Sequence, residues 1–160
     1  MREYTPSSTF VRKLRNNTPD ATAWVTGNSA YPDLNGVVKF YRTPYEGILI
    51  EAEFFGLPNR AEAKSTDFYA MHIHENGDCT KPFDRTGDHF NPTGEPHPEH
   101  VGDLLPLFGN QGYAWMSYYN KRIRLPEIMG RSLIIHLMPD DFTSQPSGNA
   151  GPKIGCGVIR

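Results

Sequence analysis

The chain has 160 residues, which is enough for one domain with its own hydrophobic core. Charged residues make up 21% and the formal net charge is -2, so neither a nucleic-acid-binding surface nor a charged disordered tail is indicated. With 15 glycines, 14 prolines and 12% aromatic residues, the composition favours short strands and many turns over helices.

The N-terminal segment, residues 1–20, shows no clear hydrophobic periodicity. It is predicted to form an extended or partly ordered arm that precedes a single domain at 21–160. No apolar run approaches the ~20 residues of a membrane span, and the start lacks the apolar stretch of a signal peptide. The prediction is a cytoplasmic protein without membrane contact, and a leader trimmed from the sequence is the open alternative.

Short segments rich in β-branched and aromatic residues follow the arm and are separated by turn residues. The predicted strands are ATAWVTG (21–27), NGVVKFYRT (35–43), GILIEAEFFGL (47–57), DFYAMHIHE (67–75), QGYAWMSYY (111–119), RSLIIHLM (131–138) and KIGCGVIR (153–160). Two segments without alternation, 76–110 and 139–152, are predicted to be long functional loops. No helix of three turns is predicted. The pattern favours an all-β fold, an antiparallel β-sandwich or flattened barrel.

All six histidines lie at or after residue 72, in the predicted loops and on the strands beside them. His72 and His74 share one face of the fourth predicted strand, because alternate side chains of a strand point the same way. A lone histidine is more often a structural residue than a ligand, but six in one region favour metal binding. His72, His74 and His136 could form an imidazole-rich site for copper or zinc.

A second group of candidate ligands lies in the first long loop. His97, His100 and Asp103 are spaced three residues apart, so a turn-rich loop could converge them on one ion with donors suited to zinc. His89 lies in sequence between the strand histidines and this group. Its two ring nitrogens could bridge two ions.

At these residues the chain resembles the copper/zinc superoxide dismutase family. The similar stretches cover most of residues 71–159 in the family's order; they are MHIHENGDCT, GDHFNPTGEPHPEHVGDL, GRSLIIHLMPDD and SGNAGPKIGCGVI. The resemblance implies a Greek-key β-barrel of about eight strands. It also implies an antioxidant enzyme, an oxidoreductase that converts superoxide to dioxygen and hydrogen peroxide.

The resemblance implies two cofactors, copper and zinc, joined by one shared histidine. The implied copper ligands are His72, His74, His89 and His136. The implied zinc ligands are His89, His97, His100 and Asp103. Asp140 is implied to join the copper ligand His72 to the zinc ligand His97, with Asp141 or a solvated loop carboxylate as the alternatives.

Two further features follow from the same resemblance. The cysteines of a cytoplasmic chain are by default free buried thiols, but the family pattern implies a disulfide between Cys79 and Cys156. The family usually carries arginine at the mouth of the copper channel, where this chain has Lys153. Lys153 is implied to guide superoxide and to be catalytic together with His89, whereas a solvent-exposed strand lysine is the alternative.

Other functions stay open beside the dismutase. A non-catalytic copper-binding or copper-delivery domain of the same fold is the first, although the chain has the full set of histidines and no Cys-x-x-Cys. A zinc-only hydrolase and a structural sandwich with incidental histidines are the others. The predicted partner is the superoxide anion, with no nucleic acid and no membrane, and both a monomer and a homodimer are compatible with the sequence.

Overall fold

The computed structural model describes residues 5–16, 18–59 and 66–160. Within these ranges it contains nine strands, two helices and a single 3-10 turn at Asp84–Thr86. In chain order the helices and strands are α1 (Pro6–Asn16), β1 (Ala21–Gly27), β2 (Asn35–Arg42), β3 (Ile48–Phe55), β4 (Phe68–Tyr69), β5 (Met71–His74), β6 (Leu107–Phe108), β7 (Ala114–Asn120), α2 (Leu125–Ile128), β8 (Ser132–His136) and β9 (Lys153–Val158).

Seven strands form one curled antiparallel sheet in the order β5-β8-β9-β1-β2-β3-β7, and β4 pairs with β6 in a small second sheet. The last strand, β9, therefore lies between β8, the strand before it in sequence, and β1, the first strand. The inward residues of β1 are Ala21, Ala23 and Val25, whereas the outward Trp24 is 71% exposed. This alternation is the two-residue period of a sheet with one face on the core. The predicted all-β antiparallel architecture is confirmed.

A helix of three turns is present where none was predicted. Helix α1 begins with proline, whose fixed backbone angle suits the first helical position. Phe10 stacks on Tyr119 at a centroid distance of 5.1 Å and meets the edge of Tyr45 at 5.8 Å. The prediction was wrong because this packing on the sheet stabilises a helix that has few apolar residues of its own. Residues 1–4 and 17 of the predicted arm lie outside the described residues, and the domain boundary at residue 21 stays a prediction.

The segment predicted as one strand, DFYAMHIHE, is divided between two sheets. Strand β4 pairs with β6, whereas β5 pairs with β8. The second long loop, 139–152, contains no strand or helix, and the first contains the 3-10 turn and the two residues of β6. Neither described helix is long and apolar enough to cross a membrane.

The first long loop folds back onto β5, which is an edge strand of the large sheet. Ile73 accepts a hydrogen bond from the Phe90 N–H and donates its own N–H to the Gly102 carbonyl, each at 2.8 Å. The loop therefore covers backbone groups that an open edge would leave unpaired. Isolated bridges also place candidate ligands opposite each other, His72 beside Asp103 and His74 beside His89.

The predicted disulfide is present, and the default interpretation of two free thiols is wrong. Cys79 in the first long loop is bonded to Cys156 on β9, across a sequence separation of 77. Cys156 is 2% exposed and packs with Phe83 and Ile134 in a small cluster of its own. The bond therefore ties the loop that carries four candidate ligands to the centre of the sheet.

Candidate metal centre

Seven side chains form two adjoining clusters where β5 and β8 meet the two long loops. Within each cluster one ligand atom per residue can be chosen so that all of these atoms lie within 4.8 Å of one another. The clusters are His72, His74, His89 and His136, and His89, His97, His100 and Asp103. The structure thus groups these residues as the sequence analysis grouped them, and His89 belongs to both.

The strand pairing explains how the first cluster forms. His72 lies opposite Ile134 in the β5–β8 ladder, and opposite residues of a ladder share a face. His136 is two residues beyond Ile134 and therefore projects from that same face. The ladder between β8 and β9 is irregular at Ile135/His136, a place where a strand commonly re-aims a side chain.

Backbone carbonyls fix the rings of His74 and His136. The Nδ1–H of His74 donates to the Gly87 carbonyl at 2.8 Å, and the Nδ1–H of His136 donates to the Gly151 carbonyl at 3.0 Å. A carbonyl only accepts, so in both neutral rings Nδ1 carries the hydrogen and Nε2 has a free lone pair. Burial lowers the pKa of His74 to about 2 and that of His136 to about 3, so both rings are neutral at neutral pH.

The two free lone pairs of these rings face each other. The Nε2 atoms of His74 and His136 are 3.3 Å apart, and neither carries a hydrogen to donate. Two lone pairs at this distance repel each other unless a cation lies beside both. The pair therefore fits two ligands of one metal ion, and imidazole is a donor that copper and zinc accept.

Asp140 joins the two clusters. Its Oδ2 accepts a hydrogen bond from His72 Nε2 and its Oδ1 accepts one from His97 Nε2, both at 2.8 Å. Burial alone would raise the pKa of Asp140, but hydrogen bonds from His72, the Phe142 N–H and His97 outweigh it and lower the pKa to about 2. The alternative, Asp141, is exposed and accepts hydrogen bonds from residues of its own loop instead.

Gly148 is part of the centre, and the sequence analysis assigned it no role. Its φ is 68°, in the left-handed region that favours glycine. A β-carbon there would collide with Asp140 Oδ1 and His97 Nε2. The glycine therefore lets the second long loop approach the Asp140–His97 contact. The SGNAG stretch carries the signal, but only the folded loop shows its use.

Four buried ring nitrogens lack a hydrogen-bond partner: His72 Nδ1, His89 Nε2, His97 Nδ1 and His100 Nδ1. Unpaired buried polar atoms are costly, so they call for a ligand. His97 Nδ1 and His100 Nδ1 lie 3.0 and 3.2 Å from Asp103 Oδ2, close but without hydrogen-bond alignment. A bound cation would coordinate such converging ring nitrogens and carboxylate oxygens. The residues therefore fit two metal ions, one in each cluster.

Asp103 brings the carboxylate to the second cluster. Its Oδ1 lies 2.7 Å from His89 Nδ1. Burial would raise the pKa of Asp103, but the hydrogen bond from His89 and the nearby rings lower it, so the carboxylate is charged at neutral pH. Three imidazoles and one carboxylate form a donor set that zinc commonly takes.

A cleft of about 450 Å³ opens onto the first cluster and is lined by His74, His89, His136 and Lys153, among others. Lys153 is partly buried, and its Nζ donates to Thr86 Oγ1 at 2.8 Å and to the Gly87 carbonyl at 3.3 Å. Burial lowers the pKa of Lys153, while Asp84 and Asp88 oppose that change. Lys153 therefore lines the cleft and has two hydrogen-bond acceptors in the first long loop.

Changing Asp140 to asparagine is expected to weaken metal binding in the second cluster. An amide offers one oxygen and one NH2 group, so one of the two histidine rings loses its acceptor and its orientation. Loss of such a partner typically costs about 10- to 100-fold in metal affinity. Competition with a chelator, followed by metal analysis, measures this. The matched control is Asp141→Asn, whose carboxylate contacts neither ring, and an equal loss in both variants would contradict the role of Asp140.

Comparison with known proteins places this centre in context. Residues 34–159 match the family model described as copper/zinc superoxide dismutase (SODC). The chain is 38% identical over 130 residues to "Superoxide dismutase [Cu-Zn] 2" of Aquifex aeolicus, a match that covers 71% of this chain and 72% of that protein. It is 32% identical over 137 residues to the "Extracellular superoxide dismutase [Cu-Zn]" of Rattus norvegicus, covering 80% and 55%.

Two further similarities bear on fold and function. "Copper chaperone for superoxide dismutase" of Rattus norvegicus is 32% identical over 139 residues, a match that covers 79% of this chain and 48% of that protein. Among solved structures, a double mutant of a SOD-like protein from Bacillus subtilis superposes with a TM-score of 0.73 at 27% identity. That alignment covers 86% of this chain and 95% of the other, which agrees with the predicted Greek-key barrel.

Proposed function

The chain belongs to the copper/zinc superoxide dismutase family, and on this premise we propose that it is an active superoxide dismutase. Two superoxide anions and two protons would give one dioxygen and one hydrogen peroxide. The observation that carries the proposal is the complete double cluster around His89, which opens through a cleft with a cationic side chain. The substrate is a small anion, so the positive charge of Lys153 suits it.

The metals of this family are copper and zinc. Copper held by His72, His74, His89 and His136 would supply the one-electron exchange that dismutation needs, whereas zinc, held by His89, His97, His100 and Asp103, is not redox active.

Three residues have separate tasks in the proposed reaction. Lys153 attracts the superoxide anion into the cleft and orients it there. The Gly87 carbonyl accepts a hydrogen bond from the His74 ring and so keeps this ring in one orientation at the wall of the cleft. When it is not acting as a metal ligand, Nε2 of His89 would take up a proton and deliver it to the departing peroxide, because it is buried beside the cleft without a hydrogen-bond partner in the protein.

The second candidate is a non-catalytic copper-binding or copper-delivery domain. It is favoured by the similarity to a protein named as a copper chaperone. A delivery site for Cu(I) commonly uses thiolates, and both cysteines of this chain are in the disulfide. All candidate ligands are buried, with no more than 9% exposure. This burial favours permanently bound ions over ions that are passed to another protein.

The test is superoxide decay after pulse radiolysis, on protein loaded with copper and zinc. Catalytic decay is expected, and Lys153→Ala should lower its second-order rate by about tenfold, the lower end of electrostatic steering. Added salt should slow the parent protein more than the variant, since screening acts on the charge that the variant lacks.

Lys121→Ala is the matched control, because this exposed lysine pairs with Glu46 and does not line the cleft. It should leave the rate and its salt dependence unchanged. No decay above that of the metal-free protein, with copper confirmed as bound, would contradict the enzyme and favour the copper-binding domain. Fast decay that is equal in both lysine variants would keep the enzyme and remove the role of Lys153.

A cytoplasmic location remains a proposal, since the similar proteins include enzymes named as extracellular. The same holds for the division into an N-terminal arm at 1–20 and a domain at 21–160. Both a monomer and a homodimer are compatible with the chain.

A further inference from the structure

A buried hydroxyl supports the ammonium group at the cleft. Thr86 ends the 3-10 turn of the first long loop and is 0% exposed. Its Oγ1–H donates to the Phe83 carbonyl at 2.9 Å, so an oxygen lone pair is left to accept from Lys153 Nζ at 2.8 Å. The direction of both hydrogen bonds is therefore determined.

The second acceptor of the ammonium leads directly to the first metal cluster. The Gly87 carbonyl lies 3.3 Å from Lys153 Nζ and also accepts the Nδ1–H of His74 at 2.8 Å. An ammonium has three N–H donors, and these two contacts leave one for an anion in the cleft. A single backbone oxygen, that of Gly87, thus links the Lys153 ammonium to the His74 ring of the first cluster.

Lysine is a mobile point charge on a four-carbon stem, whereas arginine carries a rigid, planar fork. A lysine in this position needs an external anchor if its charge is to stay in one place. We propose that Thr86 is that anchor: a positioning residue that holds Lys153 so that its charge attracts and orients the anionic substrate. The proposal deepens the dismutase function and rests on it.

The simplest competing role for Thr86 is structural, since its hydroxyl also closes the turn on Phe83. Two measurements separate the roles, with Thr86→Val as the variant and Thr86→Ser as the conservative rescue. The first is the NMR signal of the Lys153 ammonium in metal-free protein, which survives only where hydrogen bonds slow its exchange with water. We expect the signal in the parent and in the serine variant, and we expect it to vanish in the valine variant.

The second measurement is equilibrium binding of azide to the copper-loaded protein, followed by optical titration. Thr86→Val should weaken azide binding by about fivefold, the scale of one lost hydrogen bond, and Thr86→Ser should restore most of it. In a Lys153→Ala background the same Thr86→Val change should have no effect, because the hydroxyl then has nothing to position. Thr26→Val on β1, an exposed position that does not line the cleft, is the control for a generic threonine-to-valine change.

Each outcome decides the proposal. An ammonium signal that persists in Thr86→Val, or an azide effect that persists without Lys153, would overturn it and leave the turn-closing role. Phe83 keeps a second donor, the Thr86 N–H, so the valine variant is expected to fold, and Thr86→Ala repeats both measurements if it does not. Neither readout requires turnover, so a loss of the dismutase function would be seen separately as absent superoxide decay with azide binding intact.

Discussion

Replacing His89 with alanine is expected to deplete both metal clusters and to lower the rate of superoxide decay by more than about a hundredfold. His89 is the one residue common to the two clusters; its Nδ1 contacts Asp103, and its Nε2 has no hydrogen-bond partner in the protein. Mutation of a residue that only orients a metal ligand typically lowers metal affinity or activity by about 10- to 100-fold, so loss of a ligand shared by two ions should have a larger effect. Metal analysis of the purified variant and pulse radiolysis together measure the effect.

His100→Ala is the matched comparison for that variant. It removes an imidazole that belongs to the second cluster alone, so copper should be retained while zinc is lost. If His89→Ala kept both ions at parental levels, or if His100→Ala lost copper as readily as zinc, the shared position of His89 would be refuted.

The largest effect on stability is expected from the disulfide. A closed loop with a sequence separation of 77 contributes about 4–5 kcal/mol to the free energy of unfolding in the chain-entropy model. For a chain of this size, that loss lowers the melting temperature by roughly 10 °C or more. Thermal unfolding of the Cys79→Ala/Cys156→Ala double variant, compared with the parent at equal metal content, measures it.

The reductant provides an internal control for this prediction. Dithiothreitol should lower the melting temperature of the parent toward that of the double variant and should leave the variant unchanged. A melting temperature in the double variant within about 2 °C of the parent would show that the loop is held in place without the bond, since such a shift corresponds to less than about 1 kcal/mol.

The strands of this fold could be predicted because their patterns agree with their environment. Strand β1 alternates between buried and less buried positions along its length and was predicted with the bounds it has. Helix α1 was missed because it has only three apolar residues besides its proline, Phe10, Val11 and Leu14. The aromatic partners that stabilise it, Tyr45 and Tyr119, come from distant parts of the chain. A threonine and a proline before an apolar pair four residues apart were the available signal.

The grouping of the candidate ligands could be predicted from side-chain types and from the family resemblance, and the groups that orient their rings only in part. Asp140 carries a charge that a sequence pattern reveals, and its place between two rings follows the implied arrangement. The carbonyls of Gly87 and Gly151 cannot be singled out in the sequence, since every residue has a backbone carbonyl. The anchoring contact from Thr86 to Lys153 joins positions that are 67 residues apart, and only the folded loop brings them together.

The carbonyl of Gly87 accepts hydrogen bonds from both the candidate ligand His74 and the cleft cation Lys153, which restricts the residues that evolution can accept at position 87. No side-chain substitution can delete a backbone oxygen, so the link between His74 and Lys153 depends on the backbone conformation at residue 87 and not on a side chain. Its weak point is the conformation: Gly87 has φ 74°, where other residues are strained, and a β-carbon would press on Glu75 and Asn76. Lineages that keep a lysine in this cleft should therefore also keep glycine at residue 87.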